Sequence, residues 1–375
     1  MADAWIEGRP VAIEAAAAEA AKLLAASRLP VVAGLGTDVA GARAAVALAQ
    51  RIGGVLDHMH AGAVLHTLDA VRTAGLLVTT VNEAALRADT LLLVGPGLMT
   101  AWPEIGRELL GRAPDRHWVA GRRRIFWLYP GTSASVPGAE GVSIERLGTD
   151  PTHLKVGLGA LRAQIAGRPS RPTGLSAQAL TDLAAALAAA RYGVAVWAEA
   201  ALDALAIEML GGIIDDLNAT TRFCGLPLCP SDNAAGVLQV CGWLSGLPMR
   251  TSFARGVAEH DPWRFAARRL IDSRESDCVL WISAYRPAPP DWEQDVPMIA
   301  LTAPDARFRR PPRVLIAVGQ PGVDHDGIER VLTQGALAAV TATRQSPALS
   351  VAQAIARITS ALPADLAVAH GMAAC

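Results

Sequence analysis

Residues 29–57 read LPVVAGLGTDVAGARAAVALAQRIGGVLD, and this stretch decides the fold. The apolar run at 31–33 predicts a short buried strand, and the alanine-rich run at 40–52 predicts a helix that ends at Gly53 and Gly54. A second strand is predicted at 55–57. Strand, helix and strand in this order indicate two parallel strands, because a chain that returns to the same end of a sheet crosses over through a helix.

The same alternation continues along the chain. Short apolar runs predict further strands at 76–79, 90–94, 125–128, 194–197, 278–282, 298–301 and 314–318. Helices are predicted at 13–28, 177–190 and 202–217 and directly after Asn233. Short apolar strands that alternate with helices are typical of a parallel sheet that helices cover on both faces. The sequence therefore predicts an α/β fold.

The sequence also predicts domain limits. Residues 166–172, AGRPSRP, combine glycine and proline and are typical of a boundary between domains. We expect an N-terminal helical segment at 1–29, a first α/β domain at 30–168, a second α/β domain at 173–345, and a C-terminal helix and tail at 346–375. A chain of 375 residues is long enough for two such domains.

Composition narrows the classes of function. The hydrophobic fraction of 51% is high and the charged fraction of 18% is low for a protein that stands alone, which indicates apolar surface covered by other subunits. A net charge of -1 gives no field that would attract nucleic acid. No apolar run reaches the roughly 18–20 residues of a membrane helix, and the N-terminus lacks a signal-peptide core, so we expect a cytoplasmic protein.

Three segments resemble those of one known family. Residues 53–57, GGVLD, are similar to its G-A-V-I-D, and residues 87–95, RADTLLLVG, are similar to its R-A-D-V-V-V-Y-W-G. The most specific match is NAAGVLQVCGWLSGLP at 233–248, which resembles N-x-x-G-x-x-Q-V-C-x-W-x-S-G-x-P. The family is that of the B subunit of formylmethanofuran dehydrogenases, and the sequence is more similar still to its counterpart in the formyltransferase/hydrolase complex of methylotrophic bacteria.

The resemblance implies two doubly wound α/β domains of the molybdopterin oxidoreductase type whose cofactor sites are lost. The family's metal-binding cysteine and the catalytic histidine after it align with Ala63 and Val64, which cannot ligate molybdenum or tungsten. Its active-site arginine aligns with Cys229, and its two nucleotide-binding turns align with 95–98 and 129–131. No cysteine precedes position 224, so an N-terminal iron–sulfur cluster has no ligands. We therefore expect no metal or cofactor in this chain.

The resemblance further implies a non-catalytic subunit of a formyltransferase/hydrolase complex. Such a complex transfers a formyl group from tetrahydromethanopterin to a methanofuran-like carrier and releases formate during formaldehyde oxidation, a part of one-carbon metabolism. Its other subunits would be an amidohydrolase-like chain, a formyltransferase and one further chain. Within the most specific match, we expect Trp243 to pack inside the second domain.

The candidate binding site that follows from this resemblance is the basic segment Arg122, Arg123 and Arg124. The family's carrier bears a polyglutamate tail, and such a polyanion needs a cationic surface. A second cationic surface is expected from Arg307, Arg309, Arg310 and Arg313. The alternative for the basic segment is a solvated loop before the strand at 125–128, because short arginine clusters are common.

One competing hypothesis is a metal-dependent hydrolase. His58 and His60 follow a predicted strand end and resemble the His-x-His pair with which such enzymes hold a metal ion. A catalytic site usually needs a third protein ligand and a base, and the other histidines show no matching placement. The alternative is a pair of loop histidines without a metal.

A second competing hypothesis is a dinucleotide-dependent oxidoreductase. Gly34 and Gly36 lie between a predicted strand and a helix, and Asp57 follows about 20 residues later, as in a dinucleotide-binding fingerprint. Val39 stands where that fingerprint needs its third glycine, which would obstruct close packing of helix on strand. The alternative is an ordinary glycine-rich turn between strand and helix.

Overall fold

The computed structural model describes residues 3–115, 117, 119, 121–132, 136–170, 174–292, 295–303, 305–364 and 366. The chain forms two compact units. The first unit comprises Met1–Gly62, Ser231–Arg330 and Leu337–Cys375, and the second comprises Ala63–Pro230 and Val331–Ala336.

Strands and helices alternate through most of the described chain. The strands are β1 Ala4–Ile6, β2 Arg9–Pro10, β3 Pro30–Gly36, β4 Val55–Leu56, β5 Thr90–Val94, β6 Arg124–Leu128, β7 Glu145–Leu147, β8 Gly193–Ala198, β9 Phe223–Leu228, β10 Thr251–Ser252, β11 Glu259–His260, β12 Cys278–Ser283, β13 Met298–Thr302, β14 Val314–Ala317, β15 Gly327–Val331 and β16 Ala336–Val340.

The α-helices are α1 Ile13–Ala26, α2 Val39–Ile52, α3 Ala61–Ala74, α4 Val81–Arg87, α5 Leu98–Ala101, α6 Leu154–Ile165, α7 Ala177–Ala188, α8 Ala204–Asn218, α9 Ala234–Ser245, α10 Ala267–Asp272 and α11 Val351–Ala361. A π-helix spans Gly106–Leu110, and 3-10 turns span Pro151–His153 and Glu199–Ala201. Among the described residues, no helix is both long and apolar enough to pass through a lipid bilayer.

The first unit is built on a nine-stranded sheet in the order β11, β10, β4, β3, β12, β13, β14, β1 and β2. The five strands from β4 to β14 are mutually parallel, and antiparallel strands extend the sheet at both edges. From β3 the chain crosses through α2 to β4, which lies on one side of β3. Strand β12 lies on the other side of β3, and the chain continues from it to β13 in the opposite direction. Parallel α/β sheets place their sites at such a change of direction, beyond the carboxyl ends of the strands.

The second unit is built on a five-stranded parallel sheet in the order β7, β6, β5, β8 and β9. Successive residues of β5 point to opposite faces, so Leu92 and Val94 enter one apolar core while Leu91 and Leu93 enter the other. Helices cover both faces, and for this reason the five residues of β5 are all buried.

The predicted α/β architecture with parallel sheets is confirmed, and β5 has the predicted bounds. The strand predicted at 76–79 is wrong, because Leu77 and Val78 are exposed and a single bridge joins Val78 to Gly225. The sequence also missed β9, whose Gly225 and Pro227 are typical of turns. Proline is tolerated there because β9 is an edge strand of its sheet.

The compact units differ from the contiguous domains that the sequence suggests. Strand β3 pairs with β12, about 250 positions later in the chain, so the expected first domain contributes its opening strands to the sheet of the C-terminal half. Similarly, β5 pairs with β8 across the expected boundary at 166–172, whose last two residues lie outside the described ones. Strands that are neighbours in a sheet need not be neighbours in the sequence. The composition of a linker therefore cannot reveal which strands will pair.

Candidate functional site

Four polar side chains of the first unit meet beyond the carboxyl ends of its central strands. We call His58, His60, Asp232 and Arg286 the switch-point cluster. The two histidines follow β4, Asp232 lies just before α9, and Arg286 follows β12. The sequence identified the histidines as candidates and missed Asp232 and Arg286, which carry no motif and are brought in by the pairing of distant strands.

Asp232 and Arg286 form a two-pronged ion pair. The Nε of Arg286 donates to Oδ1 of Asp232 at 3.1 Å, and its Nη2 lies 2.6 Å from Oδ2. The Asp232 side chain is 1% exposed. Burial alone would raise the pKa of Asp232, but hydrogen bonds from His60, Ser231 and Arg286 outweigh it and lower the pKa to about 2. The carboxylate is therefore ionised and fully paired at neutral pH.

Both histidines are engaged with Asp232. The Nε2 of His60 lies 3.0 Å from Oδ2 of Asp232 and 3.0 Å from Nη2 of Arg286. His58 is buried, its Nε2–H donates to the backbone carbonyl of Asp232 at 3.1 Å, and its Nδ1 accepts the backbone N–H of His60 at 3.0 Å. Burial lowers the pKa of His58 to about 4, so the ring is neutral at physiological pH.

This geometry does not fit the metal-dependent hydrolase hypothesis. Both ring nitrogens of His58 are occupied by backbone groups, which leaves no lone pair for a metal ion. The guanidinium of Arg286 sits against Nε2 of His60, where a cation would be repelled. Among the described residues, no three His, Cys, Asp or Glu side chains are placed to hold a metal together.

The glycine-rich turn does not fit a dinucleotide site either. The carboxylate of Asp38 already accepts the N–H of Gly41 at 3.0 Å and so occupies the start of α2, where a pyrophosphate would bind. Asp57 is 6% exposed and accepts the N–H of Ala267 at 2.8 Å, so it is not available to a ribose. Gly34 is required for packing, because a Cβ there would lie 2.4 Å from the carbonyl oxygen of Ile282.

Asn233, the first residue of the segment 233–248 that matches the family most specifically, has a structural role. Asn233 adopts a left-handed conformation with φ 56°, and its Nδ2 donates to the carbonyl of Thr37 at 2.9 Å. Its Oδ1 accepts the N–H of Arg330 at 3.0 Å. The side chain thus ties three segments of the first unit together, and Gly236 leaves the space that it fills.

The expectation that Trp243 packs inside a domain is wrong. Its side chain is 61% exposed, and the neighbouring Leu244 is 45% exposed. Helix α9 turns Val240 and Cys241 into the core, and the helical repeat therefore carries Trp243 to the outer face. Tryptophan in an apolar helix is usually taken as core, and the sequence offered no signal to the contrary.

The positions aligned with the family's metal ligand and nucleotide-binding turn carry apolar groups. Val64 is buried on α3, beside Ala63 at the start of the second unit. Tyr129 is fully buried in the core of that unit, and Cβ atoms at Gly148 and Gly157 would lie 2.4 Å from its ring. At the position that the sequence aligns with a nucleotide-binding turn, an aromatic ring therefore belongs to the packed core of the second unit.

The three arginines of the basic segment do not form one patch. The five N–H groups of Arg123 face the backbone carbonyls of Ala84, Ala85, Ala88, Leu109 and Arg112, which lie at the ends of α4 and of the π-helix. This arrangement leaves Arg123 no donor for a ligand. Arg124 lies over the ring of Phe126, on the face of the sheet opposite to Ile125, and Arg122 is exposed.

In the second candidate surface, Arg310 and Arg313 are paired with carboxylates. Arg310 lies 3.0 Å from Asp295, and Arg313 lies 2.9 Å from Glu7. These pairs lower the net positive charge that the surface offers to an anion.

The chain is similar to B subunits of a formyltransferase/hydrolase complex and of formylmethanofuran dehydrogenases. It is 35% identical over 325 residues to the B subunit of the formyltransferase/hydrolase complex Fhc of Methylorubrum extorquens, over 85% of each chain. It is similar to a chain in a crystal structure of the complex FhcABCD of that organism with methylofuran, with a TM-score of 0.85 and 32% identity over 95% of this chain and 98% of that one. It is 26% identical over 294 residues to the B subunit of the tungsten-containing formylmethanofuran dehydrogenase 2 of Methanocaldococcus jannaschii, over 74% of this chain and 65% of that protein. No protein-family model matches the sequence.

Proposed function

Because the chain belongs to the family of B subunits of formyltransferase/hydrolase complexes, we propose that it is a structural, non-catalytic subunit of such a complex. The family expected from the sequence is confirmed. The proposed complex transfers a formyl group from tetrahydromethanopterin to a methanofuran-like carrier and releases formate. The chemistry takes place on an amidohydrolase-like subunit and a formyltransferase subunit, and this chain and one further subunit hold them in place.

The switch-point cluster is the observation that carries the non-catalytic role. A catalytic acid or base needs a nitrogen or oxygen that is free to reach a substrate. In this cluster His58 is buried with both nitrogens bound to backbone groups, and Asp232 is bound to Arg286, His60 and Ser231. The switch-point cluster is the strongest candidate for acid–base chemistry in the first unit. Its polar groups instead bind one another and the backbone, and so connect the segments next to β4, α9 and β12.

The second part of the proposal is that the chain descends from a molybdopterin-type subunit and has lost its cofactor. A methyl group at Ala63 cannot ligate a metal ion, and the ring of Tyr129 fills the core of the second unit. We propose that neither molybdenum, tungsten nor a pterin nucleotide binds to this chain.

The third part concerns the carrier. Of the basic segment, the exposed Arg122 and Arg124 can meet a polyanionic tail, whereas Arg123 cannot because its donors are saturated. We propose that the chain contributes to carrier retention through this exposed charge.

The test is purification of the complex from the native host, with and without this chain. With the chain, the proposed partners elute together and the complex is active, while elemental analysis of the isolated chain finds no stoichiometric molybdenum or tungsten. Without the chain, the partners separate on size-exclusion chromatography because their common support is lost. A fully assembled and active complex that lacks the chain would contradict the structural role.

A further inference from the structure

A cavity of about 660 Å³ lies in the second unit beside the basic segment. Its walls are the residues that follow the π-helix, the start of β6 and the loop before β7. Three arginines line it, namely Arg112, Arg122 and Arg123. Arg112 was not identified as a candidate from the sequence, because it lies ten positions before Arg122 and belongs to no motif.

The charges on the cavity wall are of one sign. None of the described residues that line it is acidic. Two acidic side chains flank the lining segments, and each accepts a neighbouring backbone N–H: Asp115 accepts the N–H of His117 at 2.9 Å, and Glu140 accepts the N–H of Gly138 at 3.0 Å. Within the described part of the chain, no carboxylate pairs with Arg112 or Arg122, and both side chains are exposed.

Arg123 adds a charge that is held in place beside these two exposed arginines. Its guanidinium is held by backbone carbonyls rather than by a carboxylate contact, so its charge is not cancelled at contact distance. Burial, followed by the charge of Arg112, lowers the pKa of Arg123 to about 10, and the group remains cationic at neutral pH. Two exposed guanidinium groups and one partly buried cation thus face the same space.

We infer that this cavity binds a ligand bearing carboxylate or phosphate oxyanions through Arg112 and Arg122. The inference rests on the proposed carrier contact and narrows it, since it adds Arg112 and leaves out Arg124, which lies over Phe126 on the other face of the sheet. A guanidinium offers two parallel N–H groups that match the two oxygens of a carboxylate or phosphate, and two such forks on one wall select a ligand with more than one anionic group.

The binding test uses the full-length chain and isothermal titration calorimetry at low salt. The probes are a pentaglutamate peptide, inorganic pyrophosphate and, as a neutral control, a pentaglutamine peptide. We expect at least one anionic probe to bind, the neutral peptide not to bind, and raised salt to weaken the affinity. Binding of pentaglutamate alone identifies a carboxylate chain as the ligand, and binding of pyrophosphate alone identifies a phosphate ligand. If neither anion binds, the inference is wrong.

Matched variants locate the site. In Arg112→Gln plus Arg122→Gln we expect about tenfold weaker binding or more, because two charge-assisted contacts are lost. Arg168→Gln removes the same charge from an exposed position of the same unit that does not line the cavity, and should change the affinity by less than about twofold. An equal loss in Arg168→Gln would overturn the inference. Assembly of the complex is measured separately, so absent anion binding in a chain that still assembles rejects this site and leaves the structural role standing.

Discussion

The side-chain oxygen of Asn233 fills the space in which a side chain at position 236 would begin: a Cβ built on Gly236 would lie 2.1 Å from it. Asn233 in turn binds the segments that contain Thr37 and Arg330. The spacing N-x-x-G in the sequence is therefore a packing requirement of the first unit.

This relationship predicts the effect of Gly236→Ala. The added methyl group must displace Asn233 from its two backbone partners, and we expect a loss of about 2–4 kcal/mol in the free energy of unfolding. Gly242→Ala is the matched control on the same helix, because a Cβ there meets nothing within 4 Å. It should be neutral or stabilising by up to about 1 kcal/mol. Urea denaturation measures the free energy of unfolding of both variants. An equal change in the two would contradict the packing role of Gly236.

A second prediction concerns the pH dependence that Asp57 gives to stability. Burial raises its pKa from 3.8 to about 6, despite the nearby charge of Arg250. The folded chain therefore binds a proton more readily than the unfolded chain in this interval, so Asp57 contributes least to stability above about pH 6 and more as the pH falls toward 4.

Replacing Asp57 by Asn removes this contribution. The difference in unfolding free energy, variant minus wild type, should rise by about 2 kcal/mol between pH 4 and 6 and level off above about pH 7. In Asp277→Asn, the control, the difference should stay flat over the same interval, because the pKa of Asp277 is lowered in the folded chain. A flat profile for Asp57→Asn would show that its carboxyl group is not perturbed in this way.

A third prediction separates Arg123 from Arg122. Replacing Arg123 by Met leaves five backbone carbonyls at two helix ends without their donor, and we expect a loss of about 2–4 kcal/mol in stability. Replacing the exposed Arg122 by Met should change stability by less than about 0.5 kcal/mol. Thermal unfolding of the isolated chain measures both, and similar melting temperatures for the two variants would contradict the assignment of Arg123 to the fold.

A fourth prediction follows from the exposure of Trp243. Because its side chain is 61% exposed, Trp243→Ala should cost the isolated chain less than about 2 kcal/mol. The control is Trp281, which lies in the same unit and is 4% exposed. Its replacement by Ala should lower the free energy of unfolding by about 3–5 kcal/mol. If the two tryptophans proved equally costly in denaturant titrations, the placement of Trp243 on the outer face of α9 would be wrong.

The sequence predicts many of the individual helices and strands, because the spacing of apolar residues and the local composition determine them. The run Thr90–Val94 is apolar throughout, as a strand buried on both faces must be, and the glycines after α2 predict its end. The pairing of β3 with β12 could not be predicted, because it depends on packing between segments about 250 positions apart. Asp232 and Arg286 were missed for the same reason.

Residue type alone also misjudged the basic segment. Arg122, Arg123 and Arg124 look equivalent in the sequence, but only Arg124 belongs to β6, where its side chain shares a face with Phe126. Arg123 precedes the strand and binds helix ends. Arg112 shares a cavity wall with Arg122 only because the π-helix and β6 are neighbours in the fold.

The most direct test of the central claim measures turnover of the assembled complex that carries His58→Gln and His60→Gln. Glutamine is similar in reach and keeps hydrogen-bonding groups, so the complex should still form, as light scattering after size-exclusion chromatography would show. If the chain is a structural subunit, the rates of formyl transfer and hydrolysis per assembled complex stay within about twofold of wild type. A loss of about a hundredfold or more in an intact complex would show that these histidines take part in catalysis, and the structural role would be contradicted.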